Sequence, residues 1–217
     1  MSFHQLRDFL ATLQLNNNKE WMDLHRKEYY DVRDFYIEWL EAMNDKLAAI
    51  DPNYFDTPGK KAINRINNNL MFHPTKPIYK DHFGAGLDQQ SKEGDFYIEI
   101  GLNGAYIGGG YWHPSSKKLK SIREAIDYNG DDFFKILNKK SFKKMFGDMI
   151  EGVVLKTAPR GYAQDHKHIE LLRRKSFAVS CSFSEKEVAN SNFDDRVIEV
   201  YKEMLPFRRY LNKAVSV

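Results

Sequence analysis

The chain holds very little cysteine, since Cys181 is the single one among 217 residues. An intramolecular disulfide and a cysteine-based zinc cluster are therefore excluded, which fits a reducing compartment. Long apolar runs are also missing, because none approaches the roughly 18–20 residues that a membrane-spanning helix requires. Residues 1–20 lack the continuous apolar segment of a signal peptide. We therefore expect a soluble, cytoplasmic protein with no membrane partner.

The chain has no large excess of one charge. Lysine and arginine number 33 and aspartate and glutamate number 30, which leaves a formal net charge of +3. This charge is too small to indicate nucleic-acid binding, so we expect no nucleic-acid partner. The motifs GxSxG, HExxH, CxxC and the Walker phosphate loop are all missing. We expect no cofactor and no metal site, and the sequence leaves the oligomeric state open.

The overall composition is typical of a folded protein. Apolar residues make up 42% of the chain and charged residues 29%, which is the usual balance for a globular domain. A chain of this length can bury a full core. Because we find no internal repeat and no linker rich in proline, glycine or serine, we predict a single domain over residues 1–217.

A hairpin is predicted in the middle of the chain. Asn103-Gly104 favours a two-residue type I′ turn, which needs positive φ at both central positions. Pairing around this turn places alternate residues of Phe96–Leu102 and Ala105–Tyr111 on one face, which we interpret as the core face. The glycines Gly108–Gly110 in the second strand indicate a close approach to the backbone. Either a tightly packed helix or a ligand fits that pattern.

Amphipathic spacing predicts two helices at the start of the chain. The first covers Gln5–Leu13. The second begins at a capping box formed by Asn17 and Glu20 and continues as one long helix until Pro52 stops it.

The remaining pattern mixes strands and helices. Alternating apolar residues predict a strand over Phe177–Phe183, and helical spacing predicts a last helix over Asp194–Ala214. The polar, glycine-containing segment Asp81–Gly94 is predicted to be a loop. This order favours an α+β fold in which long N-terminal helices pack on a mostly antiparallel sheet with the central Asn-Gly hairpin.

Basic and aromatic residues occur together in two segments. The first segment holds Arg65, Lys76, Tyr79, Lys80 and His82. Arginine and lysine near aromatic rings can hold a carboxylate or a phosphate. The second runs from Arg160 through two histidines to Lys175. With no third ligand at a recognisable spacing, these histidines do not indicate a metal site.

Two alternatives to anion binding stay open. One is an enzyme of unknown reaction that uses a His/Asp acid–base pair, with Asp81 or Asp165 orienting the histidine. The candidate bases are His82, His113, His166 and His168. The other alternative is a protein-interaction domain that uses the face of the hairpin or an exposed lysine group. That group consists of Lys135, Lys139, Lys140, Lys143 and Lys144.

Short motifs in a characteristic order make the chain similar to a known family. They include Phe9-Leu10, Arg65-Ile66, Tyr79-Lys80, Gly108-Gly109-Gly110-x-Trp112-x-Pro114, Pro159-Arg160-Gly161-Tyr162 and Leu171-Leu172. The chain resembles the family known as domain of unknown function 2461, which is common in bacteria, over nearly its whole length. The resemblance implies a single compact domain and supplies no reaction. This chain departs from the family pattern between Arg65 and Lys80, where it carries fewer charged residues.

We predict a domain that binds a small anion, either a phosphate or a carboxylate. The predicted ligand-binding residues lie in segments that carry the resemblance and have no obvious role in the core. They are Arg65, Tyr79, Lys80, Trp112, Arg160 and Lys175. In this prediction the two arginines hold the anion, Lys80 adds positive charge and the aromatic residues form walls.

Overall fold

Four strands form one antiparallel sheet in the order β1-β2-β3-β4. The computed structural model describes residues 1–89 and 94–215. The predicted loop over Asp81–Gly94 is wrong in its first half, because residues His82–Leu87 form a strand. Residues 90–93 of the predicted loop lie outside the described part. The strands are β1 (His82–Leu87), β2 (Phe96–Gly101), β3 (Gly104–Tyr111) and β4 (Phe177–Phe183).

Nine helices accompany the sheet within the described residues. The α+β class is therefore confirmed, as are the first helix, the last helix and the strand over Phe177–Phe183. The helices are α1 (Phe3–Leu15), α2 (Lys19–Leu24), α3 (Arg26–Ala48), α4 (Gly59–Ala62), α5 (Ser116–Asn138), α6 (Lys140–Phe146), α7 (Ile169–Leu172), α8 (Glu185–Val188) and α9 (Phe193–Val215). None of these described helices is both long and apolar enough to cross a membrane.

The predicted single long helix after α1 is wrong, because it is divided into α2 and α3 at His25. The His25 ring stacks on Trp21 with ring centroids 3.9 Å apart, and His25 Nδ1 lies 2.8 Å from the Trp21 carbonyl oxygen. The N-cap also differs from the prediction. The Asn18 side chain, and not that of Asn17, accepts the capping hydrogen bond from the Trp21 backbone N–H.

The hairpin of β2 and β3 has the predicted core face. Phe96, Ile98 and Ile100 are at most 2% exposed, whereas the intervening residues of β2 are partly exposed. The strands are joined by Leu102 and Asn103. Among the described non-glycine residues only Asp88 and His113 have positive φ. The type I′ turn at Asn103-Gly104 is therefore not confirmed.

The chain divides into two compact units. The first comprises residues 1–88, 97–107 and 182–198. Its core contains the apolar stripes of α1 and α3, and the buried Tyr36 hydroxyl on α3 donates a hydrogen bond of 3.0 Å to the Ile98 carbonyl of β2. This bond fixes α3 against the sheet.

The second unit comprises residues 89–96, 108–181 and 199–217. Here α9 packs directly on β3. An added Cβ would lie 2.4 Å from Met204 Sδ at Gly109 and 2.7 Å from Phe207 at Gly110. Of the two explanations for the glycines, the structure therefore supports the tightly packed helix at these two positions.

Candidate functional site

The candidate site is built on a short ladder of backbone hydrogen bonds in the first unit. Asn67 and Tyr79 form an antiparallel bridge, and the Lys80 N–H donates to the Ile66 carbonyl at 2.8 Å. The Asn64 N–H donates to the Gly84 carbonyl of β1, also at 2.8 Å. The segment that carries Arg65 therefore runs beside both the segment that carries Lys80 and the first strand of the sheet.

Two cations lie close together on this ladder. The Lys80 ammonium donates a hydrogen bond of 2.7 Å to the backbone carbonyl of Arg65. Arg65 is exposed, and no salt bridge joins its guanidinium to a carboxylate within residues 1–89 and 94–215. Burial lowers the pKa of the Lys80 ammonium below its usual value, and the charge of Arg65 lowers this pKa further. The two cations are therefore close enough for the charge of Arg65 to act on Lys80.

A group of titratable side chains lies beside these cations, at the start of β1 and on β2. His82 Nδ1 lies 2.8 Å from Asp81 Oδ1, and His82 Nε2 lies 3.4 Å from Glu99 Oε2. The Tyr97 hydroxyl donates to the same Glu99 oxygen at 2.9 Å. The Glu99 carboxylate raises the pKa of Lys80, although this effect is smaller than that of Arg65. The group therefore offers a carboxylate, an imidazole and a phenol next to the two cations.

Glycine at position 84 leaves room for this arrangement. A Cβ at Gly84 would lie 2.4 Å from the Tyr97 hydroxyl, which is too close for any other residue without movement of the ring. The phenol therefore lies against Gly84 of β1 and its hydroxyl donates to Glu99. Nothing in the sequence of β1 alone indicates this contact, because it depends on the alignment of β1 with β2.

Helix α1 and the turn after it hold the cationic segment in place. The Asn17 side chain accepts a hydrogen bond from the Tyr79 N–H and donates one to the Tyr79 carbonyl, both at 2.9 Å. The Gln14 side-chain amide donates to the Lys80 carbonyl at 3.0 Å. Tyr79 itself is only 6% exposed, which favours a packing role over that of an open aromatic wall.

The other three predicted ligand residues belong to the second unit, so the grouping of all six stays a prediction. Trp112 is 45% exposed and its ring contacts His113 at a centroid distance of 4.5 Å. Arg160 and Lys175 are both exposed. The two arginines that precede Lys175 bind the protein's own backbone and are not available to a ligand. Arg173 Nε donates to the Leu155 carbonyl at 2.5 Å, and Arg174 donates to the Ile150 carbonyl at 2.8 Å.

The histidines of the second unit pair with residues that the sequence did not indicate. His166 Nε2 lies 3.0 Å from Asp127, and His168 Nε2 lies 2.9 Å from Asp131. Because His166 Nδ1 accepts the His168 backbone N–H at 3.0 Å, the His166 proton resides on Nε2. Both ring nitrogens are then engaged. Asp127, and not the adjacent Asp165, is therefore the carboxylate partner of His166, and no group of three or more metal-ligating residues forms within the described part of the chain.

The predicted lysine group does not form a continuous helix face. Lys139 lies between α5 and α6, and its ammonium is paired with Glu203 at 3.0 Å. Lys135 is paired with Asp132 at 2.9 Å. Two of the five lysines are thus tied to carboxylates, which weakens the case for a single acidic-partner surface there.

A cleft of about 580 Å³ lies in the second unit between α5 and α9. The Tyr210 hydroxyl at its wall donates to the Ala125 carbonyl at 2.9 Å, and burial raises the pKa of Tyr210 to about 12. None of the six predicted ligand residues lines this cleft. The cleft therefore gives no support to the predicted anion site.

Comparison with known proteins places the chain in a family. The model of the family described as "Conserved hypothetical protein (DUF2461)" matches residues 5–210. The chain belongs to this family, which confirms the resemblance. Neither the curated proteins nor the solved structures give a match.

Proposed function

We propose that the protein binds a small anion, a phosphate or a carboxylate, through Arg65 and Lys80. The observation that carries this proposal is the hydrogen bond that holds the Lys80 ammonium against the Arg65 backbone. The Arg65 guanidinium is exposed, and no carboxylate among the described residues is paired with it. An anion bound by both groups gains two charge-assisted interactions, and the guanidinium offers a bidentate one.

The lowered pKa of Lys80 supports the same proposal. Burial and the charge of Arg65 both disfavour the charged ammonium, so a bound anion relieves a penalty that the free protein carries. The Tyr79 and Lys80 carbonyls are already bonded to Asn17 and Gln14. The backbone under the two cations is thus fixed before any ligand arrives, which reduces the entropy lost on binding.

Calorimetric titration with inorganic phosphate and with acetate tests this function. We expect saturable binding of at least one anion by the native protein. The combined Arg65→Ala and Lys80→Ala substitutions should abolish it and leave the melting temperature nearly unchanged. Lys156→Ala, which removes an exposed cation of the second unit, is the matched control. If the double variant unfolds, the pair is structural and the proposal fails.

A second candidate function is acid–base catalysis by His82 with Asp81 as its partner. The sequence predicted this pair, and the two side chains are in contact. His82 Nδ1 lies 2.8 Å from Asp81, and Glu99 faces the other nitrogen. Turnover of a panel of phosphate and carboxylate esters tests it. Activity lost in His82→Gln and kept in His4→Gln supports the role, because His4 forms a comparable 2.8 Å pair with Asp8 on the surface. Equal activity of both variants excludes it.

A further inference from the structure

Three consecutive apolar residues stand exposed at the end of the ladder. Leu70, Met71 and Phe72 are 37%, 80% and 69% exposed. We call them the apolar tip. Single exposed apolar residues are common on protein surfaces, but a contiguous group on one projecting loop marks an interaction site.

The loop that carries the apolar tip has its own hydrogen bonds. The Asn68 N–H donates to the Ile78 carbonyl at 2.8 Å, which closes the ladder below the loop. Within the loop the His73 N–H donates to the Asn69 carbonyl at 2.9 Å, and the Lys76 N–H donates to the His73 carbonyl at 3.1 Å. These hydrogen bonds fix the backbone of the loop that carries the apolar tip.

The segments on both sides of the apolar tip are positively charged. Between Lys60 and Lys80 the chain carries five lysine and arginine residues and no aspartate or glutamate. Three of these cations, Arg65, Lys76 and Lys80, are close enough to influence one another, since the charges of the first two lower the pKa of the third. Lys76 belongs to the same loop as the apolar tip, because its N–H donates to the His73 carbonyl. Arg65 and Lys80 lie on the ladder behind the loop, six positions before Met71 and eight positions after Phe72.

We propose that this loop binds the surface of membranes that contain anionic lipids. Met71 and Phe72 enter the boundary between headgroups and acyl chains, while Arg65, Lys76 and Lys80 face the lipid phosphates. The proposal rests on the proposed function, because it assigns the anion of the Arg65–Lys80 site to a lipid headgroup. A narrow loop end fits a lipid surface better than a protein partner, which needs a broad patch of roughly 800 Å² on each side.

This inference departs from the sequence-based expectation of no membrane partner. That expectation rested on the missing apolar run, which concerns spanning segments. A peripheral contact needs only a few inserted side chains and nearby cations.

Vesicle cosedimentation with the full chain tests the proposal. Vesicles of phosphatidylcholine with about one third phosphatidylserine are compared with pure phosphatidylcholine. The Met71→Ser/Phe72→Ser variant removes the apolar tip at exposed positions. Its matched control is Leu15→Ser/Leu24→Ser, because those leucines are 86% and 84% exposed in the same unit.

We expect the native protein to bind the anionic vesicles and not the neutral ones. The Met71→Ser/Phe72→Ser variant should bind about tenfold more weakly, Arg65→Ala about fivefold more weakly, and the leucine control as well as the native protein. No binding to anionic vesicles, or equal binding by the variant that lacks the apolar tip, overturns the proposal.

Titration with inorganic phosphate separates this proposal from the proposed function. If phosphate binds at Arg65 and Lys80 but the vesicles do not, the membrane inference fails and the anion site stands. If a polyglutamate peptide binds and the vesicles do not, an acidic protein is the partner and the membrane inference fails as well.

Discussion

The Lys80 ammonium lies 2.7 Å from the backbone carbonyl oxygen of Arg65 and donates a hydrogen bond to it. This contact joins two residues that are 15 positions apart, and it depends on the ladder that pairs Ile66 with Lys80. The Lys80 ammonium is thereby held next to Arg65, whose side chain is exposed. The proposed anion site depends on this contact. Two of the four predictions below test the site, and two test the packing of the fold.

The affinity for an anion should fall as the pH rises through the pKa of Lys80. In the free protein this pKa lies below the ordinary 10.5, chiefly because of burial and the charge of Arg65. The ammonium is charged in the folded protein only below that lowered pKa, so the protein takes up protons on binding an anion in this range. Calorimetry in two buffers of different ionisation enthalpy measures this uptake. Lys80→Met should remove the alkaline step, and a step that persists in this variant contradicts the assignment.

Arg65→Ala should leave the stability almost unchanged. The side chain is exposed and has no salt bridge to a described carboxylate, so we expect a change within about 0.5 kcal/mol in the free energy of unfolding. Thermal unfolding followed by circular dichroism measures this change. A loss of several kcal/mol would show that Arg65 supports the fold, and its effect on binding would then say nothing about the anion.

Gly110→Ala should destabilise the protein much more than Gly161→Ala. Both glycines have positive φ, 102° and 95°, so both substitutions strain the backbone by about 1 kcal/mol or more. At Gly110 the new Cβ also meets the Phe177 carbonyl at 2.3 Å, whereas no described atom lies within 4 Å at Gly161. We expect a total loss of about 3 kcal/mol or more at Gly110. Chemical denaturation of both variants measures the difference, and equal losses would contradict the close packing of α9 and β4 on β3.

Tyr36→Phe should cost about 1–3 kcal/mol, because it leaves the buried Ile98 carbonyl without the hydroxyl that donates to it at 3.0 Å. Tyr128→Phe is the control, since Tyr128 is 93% exposed and should change the stability by less than about 0.5 kcal/mol. Urea denaturation compares the two variants. If they are equally stable, the bond between α3 and β2 does not stabilise the sheet.

The parts of the fold that follow from local pattern were predictable from the sequence. The alternation in β2 gave its buried face, and the spacing of apolar residues gave α1 and α9. The capping box of Ser184 and Glu187 at the start of α8 is also a local pattern, because its two residues are three positions apart. In each case the residues that determine the structure lie within a few positions of one another.

The parts that depend on distant contacts were not predictable. In β1 the apolar residues Phe83, Ala85 and Leu87 do alternate, but Gly84 and Gly86 between them are typical of loops. The segment is held as a strand by its pairing with Ile63 and with β2. The interruption at His25 has no glycine or proline to mark it. In the candidate site, Arg65 and Lys80 were predicted from their chemistry, and their binding of an anion stays a prediction. The contact of His82 with Glu99 depends on the alignment of two strands.

The most direct test of the central claim is a crystal structure of the protein grown with phosphate, together with one of Arg65→Ala under the same conditions. The account predicts phosphate density within hydrogen-bond distance of both the Arg65 guanidinium and Lys80 Nζ, and no such density in the variant. An empty site in the native protein, or a guanidinium tied to a carboxylate of its own chain, would contradict it.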